Sequence, residues 1–390
     1  MKYIDEYRDG KVALDIAEKI RDTVKPEKNY HFMEFCGGHT HAIFRYGITD
    51  LLPANVQMIH GPGCPVCILP ISRIDAAIAL ANEHQVILCS YGDTMRVPGS
   101  QRRSLLNAKA QGADIRMVYS CVDALTIAIK NPSRQVVFFA IGFETTTPAT
   151  ALIILQAKRQ QVSNFSVFCN HVLTPPAITA ILESPEAREM GVLPIDGFIG
   201  PAHVSVVIGS RPFDHFAQTY QKPVVIAGFE PLDLLQAILM LIRQVNQGKA
   251  CVENEFIRAV TAQGNLKAQR LMADVFELRA EFEWRGLGLV PDSGLKIKSQ
   301  FSDFDAEKKF TLSPSTGRDH KACECPKILR GVKKPTDCKL FAAQCTPDNP
   351  LGACMVSSEG ACAAYYSYGR YQKQSNDERL NAFKEQVKNG

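Results

Sequence analysis

The pattern that most constrains this chain is an alternation, between residues 30 and 247, of short apolar stretches with amphipathic segments of helical period. The apolar stretches predict strands at 30–35, 55–59, 86–90, 115–119, 135–141, 165–169, 196–199 and 223–227, and the segments between them predict helices at 70–84, 101–111, 122–130, 147–161, 175–184 and 231–247. Alternation of this kind is what a parallel sheet with crossover helices requires. Two stretches, 138–155 and 224–241, both run strand, Gly-Phe-Glu, helix, and read as a repeated unit, two unrelated loops of similar turn chemistry being the alternative. In open α/β sheets such turns lie at the carboxyl ends of strands, where ligands bind. A further helix at 11–24 stops at Pro26.

At 390 residues the chain exceeds the usual size of one hydrophobic core, so two or three domains are expected. Apolar residues make up 46% and charged residues 22%, which excludes an intrinsically disordered chain. A net charge of +4 with no basic stripe interleaved with aromatics gives no support for a nucleic-acid surface. The charged N-terminal stretch lacks the apolar segment of a secretory signal, and 165–182 is broken by Asn170, His171, Pro175 and Pro176, so neither export nor a membrane span is predicted. The expected location is the cytoplasm. No phosphate-binding G-x-x-x-x-G-K-[ST] loop is present.

Thirteen cysteines are the informative excess, since a reducing compartment does not accumulate them as structural disulfides. Cys89, Cys121, Cys169 and Cys251 lie in or beside apolar segments and are expected to be buried small side chains. After residue 250 the sequence predicts a charged helical region at 253–285, loops from 286 to 319, and then a field of six cysteines: Cys323, Cys325, Cys338, Cys345, Cys354 and Cys362. Little periodicity marks this field, so something other than apolar burial is expected to hold it. Cys325 is followed after twelve residues by Cys338, after six more by Cys345, and after sixteen by Cys362. Four thiolates arriving from separate turns suit a [4Fe–4S] cluster. Structural zinc competes for the same donors, although the paired C-x2-4-C knuckles of zinc sites are missing here, and a cysteine cluster without metal is the third alternative. Spacing alone leaves open that Cys323 or Cys354 replaces Cys325.

Two glycine-rich turns near the start carry the other thiols. FCGGHTH (35–41) follows a strand and precedes a helix; its glycines admit a ligand close to the backbone, and Cys36 with His39 and His41 is a donor set for iron or zinc. GPGCPVC (61–67) also follows a strand, and Cys64 with Cys67 reads as a thiol redox pair, half of a metal site or a structural role being the alternatives. Pro70 is expected at the first helical position beyond it. Polar turns at 91–94, 142–148 and 200–203 also end strands, with helix capping as the alternative to function.

Taken together, FMEFCGGHTHAI (32–43), GPGCPVC (61–67), GFETTTP (142–148) and CTPDNPLGACMVSSEGACAAYY (345–366) resemble the HypD family of [NiFe]-hydrogenase maturation proteins over nearly the whole chain. The resemblance implies two similar parallel-sheet α/β domains around a cleft plus a loop-rich iron–sulfur domain. The boundaries expected are an N-terminal helical segment at 1–28 packing on the C-terminal domain, α/β domains at 29–130 and 131–232, and the cysteine-rich domain at 233–390. It further implies a scaffold on which iron receives cyanide and carbonyl ligands as Fe(CN)2CO, with a HypC-like small partner, a HypE-like cyanide donor and, downstream, the hydrogenase large subunit. On this resemblance Cys36 binds the iron with His39 in support, Cys64 and Cys67 are the redox dithiol, and Cys325, Cys338, Cys345 and Cys362 hold the cluster. Asp93, Glu144, His203 and Glu359 are implied as neighbours of the cleft or the cluster. Two other classes fit many of the same residues: a stand-alone iron–sulfur thiol–disulfide oxidoreductase, which needs no Cys36, and a metal-binding adaptor, which needs no Cys64 or Cys67.

Overall fold

The structure is a computed structural model that describes residues 4–184, 195–312, 317, 319–368, 381, 384, 385 and 387. Parts of the expected third domain, including 313–316 and 369–380, lie outside the described residues.

Nine strands build two parallel sheets. In chain order they are β1 (Tyr30–Glu34), β2 (Val56–His60), β3 (Ile87–Ser90), β4 (Ile115–Met117), β5 (Val136–Gly142), β6 (Phe165–His171), β7 (Gly197–Gly200), β8 (Val224–Ile226) and β9 (Val252–Asn254). The first sheet runs β2-β1-β7-β8-β9 and the second β4-β3-β5-β6, with every pairing parallel. All seven residues of β5 are buried, with Val137, Phe139 and Ile141 in one apolar cluster and Val136, Phe138 and Ala140 in another. Burial on both faces is why the strand reads as continuous apolar sequence rather than alternating.

The α/β class and two-sheet organisation match the expectation, but the expected boundaries do not match the sheets. The division at residue 130 falls inside the second sheet, between β4 and β5, and the first sheet takes strands from both sides of the second. The second sheet is an insertion between β2 and β7. Sequence alternation gives the order of strands along the chain and is blind to which sheet each joins.

The N-terminal helix, Gly10–Thr23, is capped by the Asp9 carboxylate, which accepts from the Lys11 and Val12 amides. Its buried stripe, Ala13, Ile16, Ala17 and Ile20, packs on the Pro231–Asn246 helix, which covers the first sheet. The expected boundary at 233 therefore cuts a helix that belongs to that sheet. The region expected to be helical at 253–285 is mixed: β9 and the Leu266–Val275 helix are followed by β10 (Phe276–Leu278) and β11 (Glu281–Trp284). β11 pairs antiparallel with β12 (Gly288–Pro291), and β10 with β13 (Leu295–Ile297). The buried Trp284 donates its ring N–H to Ser293 Oγ at 2.8 Å, which anchors this hairpin layer.

Candidate metal and thiol centre

Both sheets have the same strand order. In the first, β2 lies on one side of β1 and β7 on the other; in the second, β4 and β5 flank β3 in the same way. The reversal of direction makes a crevice at the carboxyl ends of β1 and β7, the position where doubly wound sheets bind ligands.

Cys36 leaves β1 into that crevice and is the N-cap residue of the Gly37–Arg45 helix. His203, from the turn after β7, places Nδ1 3.9 Å from Cys36 Sγ. Glu34, the last residue of β1, fixes the turn from below. Fully buried, its carboxylate accepts from the Cys36 amide at 2.9 Å, from His60 Nδ1 at 2.9 Å and from the Thr40 hydroxyl. Burial, with the Glu359 charge nearby, pushes the Cys36 thiol up to about 12. His39 is buried; Nε2 donates to the Ala227 carbonyl at 3.0 Å, and burial lowers its pKa. Its ring packs on Phe229, which packs on His203 in turn, with ring centroids 4.9 and 4.2 Å apart. His39 thus bears on His203 through Phe229. A side chain on Gly38 would strike that phenyl ring, its Cβ 2.5 Å from Phe229 Cε1. His41 points elsewhere, 3.2 Å from the Tyr368 hydroxyl.

The CPVC turn stacks directly on this site. Gly63 O accepts from the Gly37 amide at 3.1 Å, and a Cβ on Gly63 would lie 2.5 Å from the Cys36 amide nitrogen, so only glycine permits the two thiol turns to meet. Cys64 and Cys67 are both buried and reduced, and the Cys67 amide donates to Cys64 Sγ at 3.3 Å. Pro70 is the N-cap of the Ile71–Asn82 helix rather than its first residue.

From Cys67 the thiols run on into the cysteine field. Cys354 is fully buried and is hydrogen-bonded to Cys325, Cys362 and Cys67; these contacts hold it well below the usual thiol range. Cys362 touches Cys325 as well, and Cys323 touches Cys325. A Cβ on Gly352 would fall 2.5 Å from Cys323 Sγ and 2.6 Å from Cys325 Sγ. Cys345 Sγ accepts from the Leu351 amide at 3.3 Å. Cys338 and Cys345 flank one tight turn, closed by the Cys345 amide on Leu340 O at 2.8 Å. Sequence spacing set Cys354 aside as a spare; in the fold it is the sulfur that joins the two groups. Among the described residues no three histidine, cysteine or carboxylate groups form a ready-made ion site.

The remaining sequence-predicted residues divide. Glu359 packs over Gly37, whose added Cβ would meet its carboxylate oxygen at 2.6 Å. Asp93 is exposed and lines a cavity at the second sheet. Glu144 stands away from the thiols: it is buried, accepts from the Thr174 amide at 2.9 Å and hydroxyl at 3.0 Å, and so caps the Thr174–Glu183 helix. Burial pushes its carboxyl up to about 7. Cys89, Cys121 and Cys169 are buried as expected, whereas Cys251 is exposed beyond the end of the apolar segment. Sequence reasoning passed over Glu34, Thr40, His60 and Phe229. For Glu34 a signal existed, an acidic residue ending an otherwise apolar strand.

Comparison with known proteins gives the family. A family model described as HypD, "Hydrogenase formation hypA family", matches residues 11–369. The chain is 68% identical over 372 residues to "Hydrogenase maturation factor HypD" of Cupriavidus necator, covering 95% of this chain and 98% of that protein. It is 65% identical to the protein of the same name from Rhizobium leguminosarum bv. viciae, covering 96% and 97%. Against the Escherichia coli protein, also of that name, identity is 46% over 380 residues, covering 96% and 100%.

Proposed function

The chain belongs to the HypD family of hydrogenase maturation factors, and from that premise we propose that it is the scaffold on which the Fe(CN)2CO unit of a [NiFe]-hydrogenase is assembled. The observation that carries the reading is the meeting, at one crevice, of the Cys36 thiol, the His203 imidazole and the stacked Cys64–Cys67 turn. A low-spin iron carrying cyanide and carbonyl takes a soft thiolate well. Cys36 would supply it, with His203 Nδ1, 3.9 Å from Sγ, to take the displaced thiol proton once the metal has lowered the thiol's hold on it, because burial makes that imidazole a weak base. His39 and Phe229 fix the orientation of that imidazole, and Glu34 fixes the Cys36 backbone. A HypC-like partner would complete the iron's sulfur ligation, a HypE-like protein would deliver cyanide, and the hydrogenase large subunit would receive the product.

The cysteine field fits an iron–sulfur cluster by the chemistry of its donors, a concentration of sulfur with no competing basic partner in the contact network. Cys325, Cys338, Cys345 and Cys362 would hold a [4Fe–4S] cluster, which supplies single electrons when bound. Cys354 touches Cys67 on one side and Cys325 and Cys362 on the other, so it is the thiol through which the dithiol and the field communicate. Thirteen free thiols suit the reducing cytoplasm; among the described residues no helix is long and apolar enough to cross a membrane.

The test is infrared spectroscopy of the anaerobically isolated protein with its small partner. Cyanide and carbonyl stretches should be present in the wild type and absent from Cys36→Ala. Bands of undiminished intensity in that variant would overturn the assignment of Cys36. The Cys67–Cys354 contact also suits a stand-alone thiol–disulfide oxidoreductase, which predicts that Cys36→Ala reduces protein disulfides at the wild-type rate.

A further inference from the structure

The second sheet has its own switch point, and nothing in the iron reading uses it. By strand order, β3 and β5 correspond to β1 and β7. The turns that leave them, 91–94 and 141–146, occupy the place that Cys36 and His203 occupy in the first sheet. A cavity of about 440 Å³ opens there, within the range of small-molecule sites. Its walls come from five separate stretches: the two strand-end turns, residues 117–119 at the end of β4, Ser357 to Glu359 of the cysteine-rich domain, and Pro65 and Val66 of the CPVC turn. It is therefore built by the assembled fold and is not a dent in one loop.

Its lining is specific in chemistry. Two carboxylates, Asp93 and Glu359, face it, and none of its lining residues is lysine, arginine or histidine. Burial, with Asp93 and Glu34 nearby, raises the Glu359 carboxyl above its ordinary range, as acidic groups do when they crowd together with no cation between them. Thr94, another lining residue, is fully buried and its hydroxyl has no hydrogen-bond partner. A buried hydroxyl without a partner costs stability unless a ligand or water meets it. Met117, Val118 and Ile141 supply an apolar wall. Negative charge, a free hydroxyl and an apolar surface exclude phosphates and carboxylates as occupants. They suit a group rich in N–H donors on a short apolar body.

We infer that the switch-point cavity of the second sheet binds a small organic cation, an amine or amidine, with its charged end toward Asp93 and Glu359 and its body against Met117 and Ile141. The cavity shares Glu359 with the Cys36 turn, where that residue packs over Gly37, but its lining does not include Cys36 and the inference does not depend on the iron reading. Occupancy lies against Pro65 and Val66, between the two cysteines of the dithiol turn, so a bound cation would be felt at that turn.

The test titrates benzamidine, and its isosteric anion benzoate, into the full-length protein by calorimetry and by saturation-transfer NMR. Saturable binding of benzamidine and none of benzoate is expected. Asp93→Asn should weaken benzamidine at least about tenfold, the worth of one lost charged hydrogen bond, and Glu359→Gln and Thr94→Val should weaken it as well. Cys36→Ala should bind as the wild type does. Asp93 is exposed, so its substitution leaves the fold intact, and an unchanged melting temperature verifies this. Equal binding of benzoate, no saturable benzamidine binding, or wild-type affinity in Asp93→Asn overturns the inference. Loss of binding in Cys36→Ala also overturns it, because it moves the ligand to the other sheet.

Discussion

The two sheets share a strand order and differ in what they carry at its reversal. At the first, the turns after β1 and β7 deliver a thiol, an imidazole and, stacked upon them, a dithiol. At the second, the turns after β3 and β5 deliver a carboxylate, hydroxyls and an aromatic ring. Topology chose the place in both cases, and the residues at the strand ends chose the chemistry. Support differs too. Cys36 is held from beneath by the buried Glu34, whereas Asp93 is exposed at the rim of its cavity. One crevice is rigidly organised around a soft donor and the other is open.

The largest effect that separates them falls on Cys36. Its substitution by alanine should reduce hydrogenase maturation in a complemented deletion strain to the assay floor while the protein melts as before; substantial maturation would place the iron elsewhere. Next comes the division of labour in the cysteine field. Cys354→Ser should keep the full iron and sulfide content while losing communication with the dithiol. It would be read as failure of Cys64 and Cys67 to be re-reduced after mild oxidation. Cys338→Ser should lose the cluster itself. If Cys354→Ser loses iron and Cys338→Ser keeps it, the ligand assignment must exchange the two residues.

The supports can be compared directly. Glu34→Gln presents an amide N–H to donors that the carboxylate accepted, so at least one buried donor is left unmet, at a cost of about 2–4 kcal/mol. Asp93→Asn, at an exposed rim, should change stability by less than about 0.5 kcal/mol. Chemical denaturation measures both. Similar values for the two would mean that the first crevice is no more organised than the second.

How much of this was legible depended on whether a feature is local. The Cys36 turn, the CPVC turn and the spacing of the cysteine field are contiguous strings whose residue types announce sulfur chemistry. The fold class followed from periodicity. The insertion of one sheet into the other did not, because Val56–His60 and Gly197–Gly200 each read as an ordinary strand and their common neighbour, β1, is set by tertiary packing. The repeated Gly-Phe-Glu units are real as strand, turn and helix, yet they fall on non-equivalent strands: β5 adjoins its switch point and β8 lies one strand further out. Accordingly Phe229 packs on His39 and His203 while Phe143 packs on Trp284. Cys354 could not be separated from Cys325 by spacing, since what distinguishes it is a contact with Cys67, nearly three hundred residues away in sequence.

A further effect concerns two groups buried in the second sheet's unit, with opposite consequences for stability against pH. Burial raises Glu144 from 4.5 to about 7, so its contribution is fully present below 4.5 and is lost as pH rises through about 7. Burial lowers His171 from 6.5 to about 4, so its contribution is present above 6.5 and is lost as pH falls through about 4. Between 4.5 and 6.5 the two slopes oppose each other, and these groups leave a plateau. Glu144→Gln removes the alkaline slope of one of them. Relative to its own value in acid, the variant should gain about 3 kcal/mol above neutral pH over the wild type. Glu255, also raised to about 7, chiefly by burial and then by Asp233, preserves part of the alkaline decline in the variant. Denaturant midpoints across this range measure the difference. Parallel curves for variant and wild type would show that Glu144 ionises in the fold as it does in the unfolded chain, and that its two hydrogen bonds from Thr174 offset its burial.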